Sequence, residues 1–226
     1  MAVVQHVVKS SPADDVLLER WRAVPTAIVA DVSNGAALID PDIRPLRPPG
    51  QQPRLFGRAV TAKCEPPDFG AVLHALDLVK PGDVLVIAAE GNRDHAMLGE
   101  ILGGQLRRRG GAGVICDGAV RDVAELASWQ DLSVFTRFVN PRGPTGAEKG
   151  VVNGAVSFGG RDISPGDLVI GDDDGLACLS PEMIRTLIDL AEAKLALEEE
   201  WQASLKSGKT LAQTFALPPP GTIEKS

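Results

Sequence analysis

Apolar positions along this chain recur with two periods. Val16, Leu17, Trp21 and Val24 fall at helical spacing behind Ser11-Pro12-Ala13-Asp14, where Ser is a natural N-cap and Pro suits the first helical position. Pro25 stops that helix. Thr26 is placed to cap a second, short helix, AIVADVSNG, which Asn34-Gly35 would close. Residues 41–53 (PDIRPLRPPGQQP) are Pro-rich and read as a loop. A strand is expected from Phe56 to Cys64, and Asp68-Phe69-Gly70 leads into a helical pattern, AVLHALDLV. Uninterrupted apolar runs at 84–87 and 113–116 predict buried strands. The run from Ala96 to Arg109 reads as a helix ended by Gly110-Gly111. Asp117-Gly118 reads as a turn, Val123 as the start of another helix, and Val134-Phe135 as a short strand.

Strand and helix alternating this way predict a parallel sheet with crossover helices. The pattern then changes. Residues 150–180 contain short strands and turns and no helix, which predicts an antiparallel layer. Pro81-Gly82-Asp83 and Pro165-Gly166-Asp167 are echoes of one device, a tight turn launching a buried strand. Ser180-Pro181-Glu182 then caps a long helix whose Ile184, Leu187, Ala191, Leu195 and Trp201 make an apolar stripe. The tail from Gln213 carries three consecutive prolines, Pro218 to Pro220.

Charge narrows the possible partners. The 226 residues carry 30 acidic and 23 basic side chains, a net charge of -7. That balance opposes a nucleic-acid binder, which needs a cationic surplus to follow phosphates, and the absence of Tyr weakens base stacking. No apolar run reaches the ~18 residues of a membrane span, and the first residues lack the basic and apolar regions of a signal peptide. Cys64, Cys116 and Cys178 are far apart and outside any CxxC pattern. They are expected to be reduced, buried thiols of a cytoplasmic protein.

The segment GVICDGAVRD, 113–122, carries the most chemistry. A buried strand runs into Arg121-Asp122, and in α/β sheets ligands collect at the carboxyl ends of parallel strands. A guanidinium grips a carboxylate through two parallel N–H bonds, and a carboxylate holds a hard divalent cation. The same pair also serves as a plain ion pair and helix cap. A second segment, DHAMLGEIL, places Gly99 near a helix start. There the amides of Gly99 to Leu102 would form an anion site, unless Gly99 is present for close packing alone. His74, in an apolar helical context, is expected to be a core or interface histidine, and Asp172-Asp173-Asp174-Gly175 a solvated hairpin turn. Three scattered histidines with no HExxH argue against a zinc site. Gly208-Lys209-Thr210 follows a helix instead of a strand, so it is no phosphate loop.

The combination GEIL…RRRGGAGVICDGAVRDVAEL, VNPRGP and VSFGG…ISPGDLVIGDDDG resembles the family containing the regulator of ribonuclease activity A and the class II 4-hydroxy-4-methyl-2-oxoglutarate aldolases. The resemblance spans roughly 26–179. It leaves an N-terminal helix in 1–25 and a C-terminal helix and tail in 180–226. It implies a three-layer β/β/α swivelling domain, assembled as homotrimers or hexamers with sites near subunit interfaces. It implies that Arg121 binds the carboxylate of a pyruvate-like 2-oxo acid and that Asp122 holds Mg²⁺ or Mn²⁺ with waters. The amides of Gly99, Glu100, Ile101 and Leu102 would contact the substrate. A further acid that some aldolases supply late in the chain is not assigned, since Glu198, Glu199 and Glu200 read as an ordinary charged helix face. The implied activity is metal-dependent cleavage of 4-hydroxy-2-oxo acids to pyruvate, with oxaloacetate decarboxylation through the same enolate. The rivals are an enzyme that mainly decarboxylates oxaloacetate and a non-catalytic regulator that binds a ribonuclease.

Overall fold

The structure, a computed structural model, describes residues 2–7 and 15–221. The expected helix start at Ser11 to Asp14 lies outside the described residues. In chain order the elements are β1 (Val4–Gln5), α1 (Asp15–Trp21), α2 (Thr26–Val32), β2 (Arg44–Pro45), β3 (Leu55–Lys63), α3 (Gly70–Leu78) and β4 (Val84–Leu98). They continue as α4 (Glu100–Arg108), β5 (Gly113–Val120), α5 (Val123–Ser128) and β6 (Ser133–Val139). Short strands follow: β7 (Val151–Val152), β8 (Val156–Phe158), β9 (Arg161–Ile163), β10 (Leu168–Asp172) and β11 (Gly175–Leu179). Then come α6 (Pro181–Lys206) and α7 (Leu211–Thr214).

β3, β4, β5 and β6 pair in that order, all parallel, as the alternation of strands and helices requires. β3 belongs to two layers: Ala59 to Lys63 pair with β4, while Leu55 to Arg58 pair antiparallel with β10 of the β10–β11 hairpin. On β4, Leu85, Ile87 and Ala89 face α3, α4 and α5, and Val84, Val86 and Ala88 face the antiparallel strands. Both faces are covered, so the strand reads as a continuous apolar run. On β10, Val169 faces the central sheet, while Leu168 and Ile170 face α1, α2 and α6. The result is a mixed α/β fold with a parallel layer, an antiparallel layer and a C-terminal helix.

The two Pro-Gly-Asp turns are the same object. Gly82 and Gly166 take φ of 85° and 88°, and Asp83 and Asp167 each accept the amide three residues back at 2.8 Å. The Asp-rich segment is the β10–β11 hairpin turn. Ser180 caps α6 by accepting the Met183 amide at 3.2 Å, and Asn34 and Gly35 take positive φ after α2. Cys64, Cys116 and Cys178 are free and buried, and burial pushes the Cys64 thiol up to about 12. Among the described residues no helix is long and apolar enough to cross a membrane.

Other expectations are corrected. Ala96 to Leu98 are strand, because Ala96 and Leu98 pair with Ala119 and Val120 of β5; the helix starts only at Glu100. Asp117-Gly118 is no turn. Both residues lie buried inside β5, where Arg137 on β6 neutralises Asp117 at 2.6 Å, so the charge need not reach water. Thr26 does not cap α2 with its own side chain. The Asp172 carboxylate accepts both the Thr26 amide (2.9 Å) and its hydroxyl, so the hairpin turn caps the helix from across the fold. His74 is not a core histidine: it is exposed on the single chain, since α3 buries Val72, Ala75 and Leu76 on its other side. Within 41–53, Arg44 and Pro45 pair with β6.

Candidate active site

The site forms where two adjacent parallel strands end together. Leu98 pairs with Val120, and the Arg121 amide donates to the Leu98 carbonyl at 2.9 Å. That pairing sets Gly99 beside Arg121 and Asp122, although the two segments are about twenty residues apart in the chain. Gly99 has extended backbone, φ −145° and ψ −163°. A Cβ there would lie 2.4 Å from Asp122 Oδ2 and 2.9 Å from Arg121 Cγ. The bare Cα therefore lets both side chains lie against the strand end, while its φ is open to any residue.

Asp122 takes left-handed geometry, φ 56° and ψ 40°, which Asp tolerates better than most residues. It stands at the N-cap of α5, where its carbonyl accepts the Leu126 amide at 3.0 Å but its side chain does not bond that helix. Its Oδ2 instead accepts the Glu100 amide, at the first turn of α4, at 3.0 Å. Arg121 Nε lies 3.6 Å from the same oxygen. The plain ion-pair and cap roles are thus present, but they leave functional groups open. Arg121 and Asp122 side chains remain 39% and 37% exposed, so both are accessible. Among the described residues Asp122 Oδ1 takes no hydrogen bond, and neither do the amides of Ile101 and Leu102. The positive end of the α4 dipole faces the same space. Of the four amides, Glu100's is therefore already engaged, and its side chain lines the neighbouring groove between α4 and α5.

These groups border a cleft of about 290 Å³. Gly143 and Pro144, in the loop after β6, close one side. A Cβ at Gly143 would lie 2.6 Å from Arg121 Nη1, so the bare backbone lets the loop press against the guanidinium. Buried Asp68 accepts the amides of Gly70, Glu148 and Lys149 at 2.8–3.0 Å and anchors the far end of that loop. The loop 139–150 lines the cleft through Gly143 and Pro144, and no described residue of 41–53 does. Phe69, Leu73 and Met97 complete the walls and were not singled out from sequence, because they read as ordinary core positions. Glu198 pairs with Lys194 on α6 at 3.8 Å, and Glu198 to Glu200 do not line the cleft.

Among the described residues no group of three or more His, Cys, Asp and Glu side chains converges. The described residues of one chain therefore do not by themselves supply the three or four side-chain ligands of a closed zinc site. One carboxylate with an open oxygen, beside space for water and a ligand, fits a hard cation such as Mg²⁺ or Mn²⁺ that keeps most of its waters.

On this β/β/α scaffold an Arg, an Asp and helix-end amides meet at adjoining parallel strand ends, an arrangement with the chemistry to hold a small anion. The chain belongs to the RraA-like family, described as Aldolase/RraA, whose model matches residues 26–178. A Halalkalibacterium halodurans protein is 30% identical over 84% of this chain and 88% of its own length. One from Deinococcus radiodurans is 34% identical over 70% and 96%. Each carries the name "Putative 4-hydroxy-4-methyl-2-oxoglutarate aldolase". The crystal structure of Streptomyces coelicolor RraAS2, described as an unusual member of the RNase ES inhibitor RraA family, superposes with a TM-score of 0.72. That match is at 26% identity, over 83% of this chain and 96% of RraAS2.

Proposed function

We propose that this chain is a divalent-metal-dependent lyase that cleaves 4-hydroxy-2-oxo acids to pyruvate, with oxaloacetate decarboxylation in the same site. The observation that carries this reading is the convergence of the Arg121 guanidinium, the open Asp122 oxygen and the Ile101 and Leu102 amides on one cleft. The names of two relatives agree with it.

In this reading Arg121 holds the substrate's C1 carboxylate in a two-pronged grip. The C3–C4 bond breaks as the C4 hydroxyl loses its proton. The released electron pair settles as the enolate of pyruvate, which is then protonated at C3. The Ile101 and Leu102 amides and the α4 dipole supply fixed positive potential for the oxygen that gains charge. Mg²⁺ or Mn²⁺ held by Asp122 would add Lewis-acid stabilisation of that same charge. Gly99 allows Arg121 and Asp122 to lie against the strand end, and Gly143 sets the guanidinium's outer limit. Loss of CO₂ from oxaloacetate leaves the same enolate, so the same residues serve it.

The test is a coupled pyruvate assay with Mg²⁺ or Mn²⁺ over several 4-hydroxy-2-oxo acids and oxaloacetate. Arg121→Ala and Asp122→Ala are expected to lose about 100-fold or more in kcat/KM. Undiminished metal-dependent pyruvate release by either variant would overturn the assignment. Turnover of oxaloacetate alone would select the decarboxylase. Absence of turnover, with capture of a ribonuclease, would select the regulator.

A further inference from the structure

Two walls of the cleft come from different segments, and one side chain joins them. Ala96, Met97, Leu98 and Gly99 line it from the end of β4, and Gly143 and Pro144 from the loop after β6. Asn140, half-buried at the start of that loop, is hydrogen-bonded through its main chain and through both ends of its side chain. Its amide donates to the carbonyl of Val120, the residue before Arg121, at 3.0 Å. Its Oδ1 accepts the Arg142 amide at 2.9 Å, a local turn that folds the loop back on itself. Its Nδ2 donates to the Arg93 carbonyl at 2.8 Å, across to the segment that leads into Ala96. The Ala96 amide donates in return to the Arg142 carbonyl at 2.8 Å, so two bonds stitch the loop to the strand end.

The two side-chain bonds make opposite demands. One end must accept an N–H and the other must donate to a carbonyl, which a side-chain amide does and a carboxylate does not. Their consequence falls on Arg121, a long and half-exposed side chain with many rotamers. Its Nε lies 3.6 Å from Asp122 Oδ2, and on its other side the Gly143 backbone comes close enough that a Cβ would lie 2.6 Å from Nη1. Gly143 follows Arg142 directly, so the bonds that place Arg142 also place the backbone that confines the guanidinium. A fork confined before the ligand arrives loses less freedom when it grips a carboxylate.

We propose that Asn140 is a positioning residue for Arg121: its bridge to Arg93 holds Gly143 against the guanidinium and so fixes the direction of the N–H groups that grip the substrate carboxylate. This role deepens the lyase reading and rests on it.

The test uses the full chain with Mg²⁺ or Mn²⁺. Calorimetry reads the Kd of pyruvate, and a coupled assay reads pyruvate release from 4-hydroxy-4-methyl-2-oxoglutarate. Asn140→Ala removes both side-chain bonds. Asn140→Ser keeps a hydroxyl for the Arg142 amide and loses the bridge to Arg93, and it serves alone where the alanine variant does not fold. Both variants are expected to bind pyruvate at least about fivefold more weakly, with a matching rise in KM and kcat within about threefold of the parent. Serine should recover part of the melting temperature that alanine loses, without recovering Kd. A merely structural role would make Kd follow melting temperature. An unchanged Kd in either variant would therefore overturn the proposal, as would a Kd restored together with melting temperature in Asn140→Ser, or failure of the unaltered chain to bind pyruvate. Weakened pyruvate binding in the variants, with no pyruvate released from the hydroxy acid by the unaltered chain, would remove the lyase reading and leave the positioning role standing.

Discussion

Asp122 Oδ2 accepts the Glu100 amide at 3.0 Å, so the carboxylate at the start of α5 caps α4. One side chain thereby ties together the two segments that make the site. Asp122→Asn keeps an oxygen for the amide and a residue type that accepts left-handed backbone. Its stability is expected to stay within about 1 kcal/mol of the parent in urea titration. Its metal-dependent turnover is expected to fall about 100-fold, because the charge is gone. Asp122→Val removes the cap and adds a β-branched side chain at φ 56°, so a further loss of about 1–2 kcal/mol is expected.

Gly99→Ala separates geometry from folding. The extended backbone accepts alanine, but the new methyl would meet Asp122 Oδ2 at 2.4 Å and Arg121 Cγ at 2.9 Å. Those side chains are half-exposed and can swing away, so stability should fall by only about 1 kcal/mol. Displacing both functional groups should lower kcat/KM by at least about tenfold. Thermal melting and steady-state kinetics on the same preparation give both numbers.

Arg137 is expected to matter for stability well away from the cleft. It bonds Asp117 at 2.6 Å and Asp40 at 2.8 Å, and Asp117 is only 7% exposed. Arg137→Met leaves a buried carboxylate without its cation, with an expected cost of about 3–5 kcal/mol in denaturant titration. Adding Asp117→Asn should recover part of that loss, since the amide carries no charge.

Asp68 sets an acid limit on the site loop. Burial by itself would raise its pKa, but the amides of Glu148, Gly70 and Lys149 favour the charged form and hold the carboxyl below its ordinary value. A group depressed in the folded state contributes stability above its unfolded pKa, about 3.9, and loses it as pH falls through the folded one. Asp68 should therefore leave stability flat from pH 5 to 8 and reduce it below about pH 4. In Asp68→Asn that acid component should vanish. The variant should be destabilised at neutral pH by about 1.5–3 kcal/mol, because a side-chain amide cannot accept three N–H bonds as a carboxylate does. Melting temperature against pH for both proteins checks the sign.

Much of this architecture is written locally. Continuous apolar runs at 84–87 and 113–116 specify strands buried on both faces. The two Pro-Gly-Asp turns specify their own geometry, and Ser180-Pro181 specifies the start of α6. These features depend on neighbours a few residues away, so a linear reading reaches them. The chemistry of Arg121-Asp122 and the glycine at 99 is visible in the same way, as residue types beside strand ends.

What the sequence could not settle is where local preference meets a distant partner. Ala96 to Leu98 favour a helix by pattern and become strand because Val120 and Ala119 pair with them. Asp117-Gly118 looks like a turn and stays in the sheet because Arg137 neutralises the carboxylate from the next strand. Thr26 yields its capping role to Asp172, 146 residues away. The joining of Gly99, Arg121, Asp122 and Gly143 has the same origin. Residue types were set by the chain, but the register of β4 against β5 brought Gly99, Arg121 and Asp122 within contact of one another, and the Ala96 amide bond to the Arg142 carbonyl sets Gly143 beside them. Register is a property of the packed sheet, in which a shift of one residue would turn buried side chains to the opposite face.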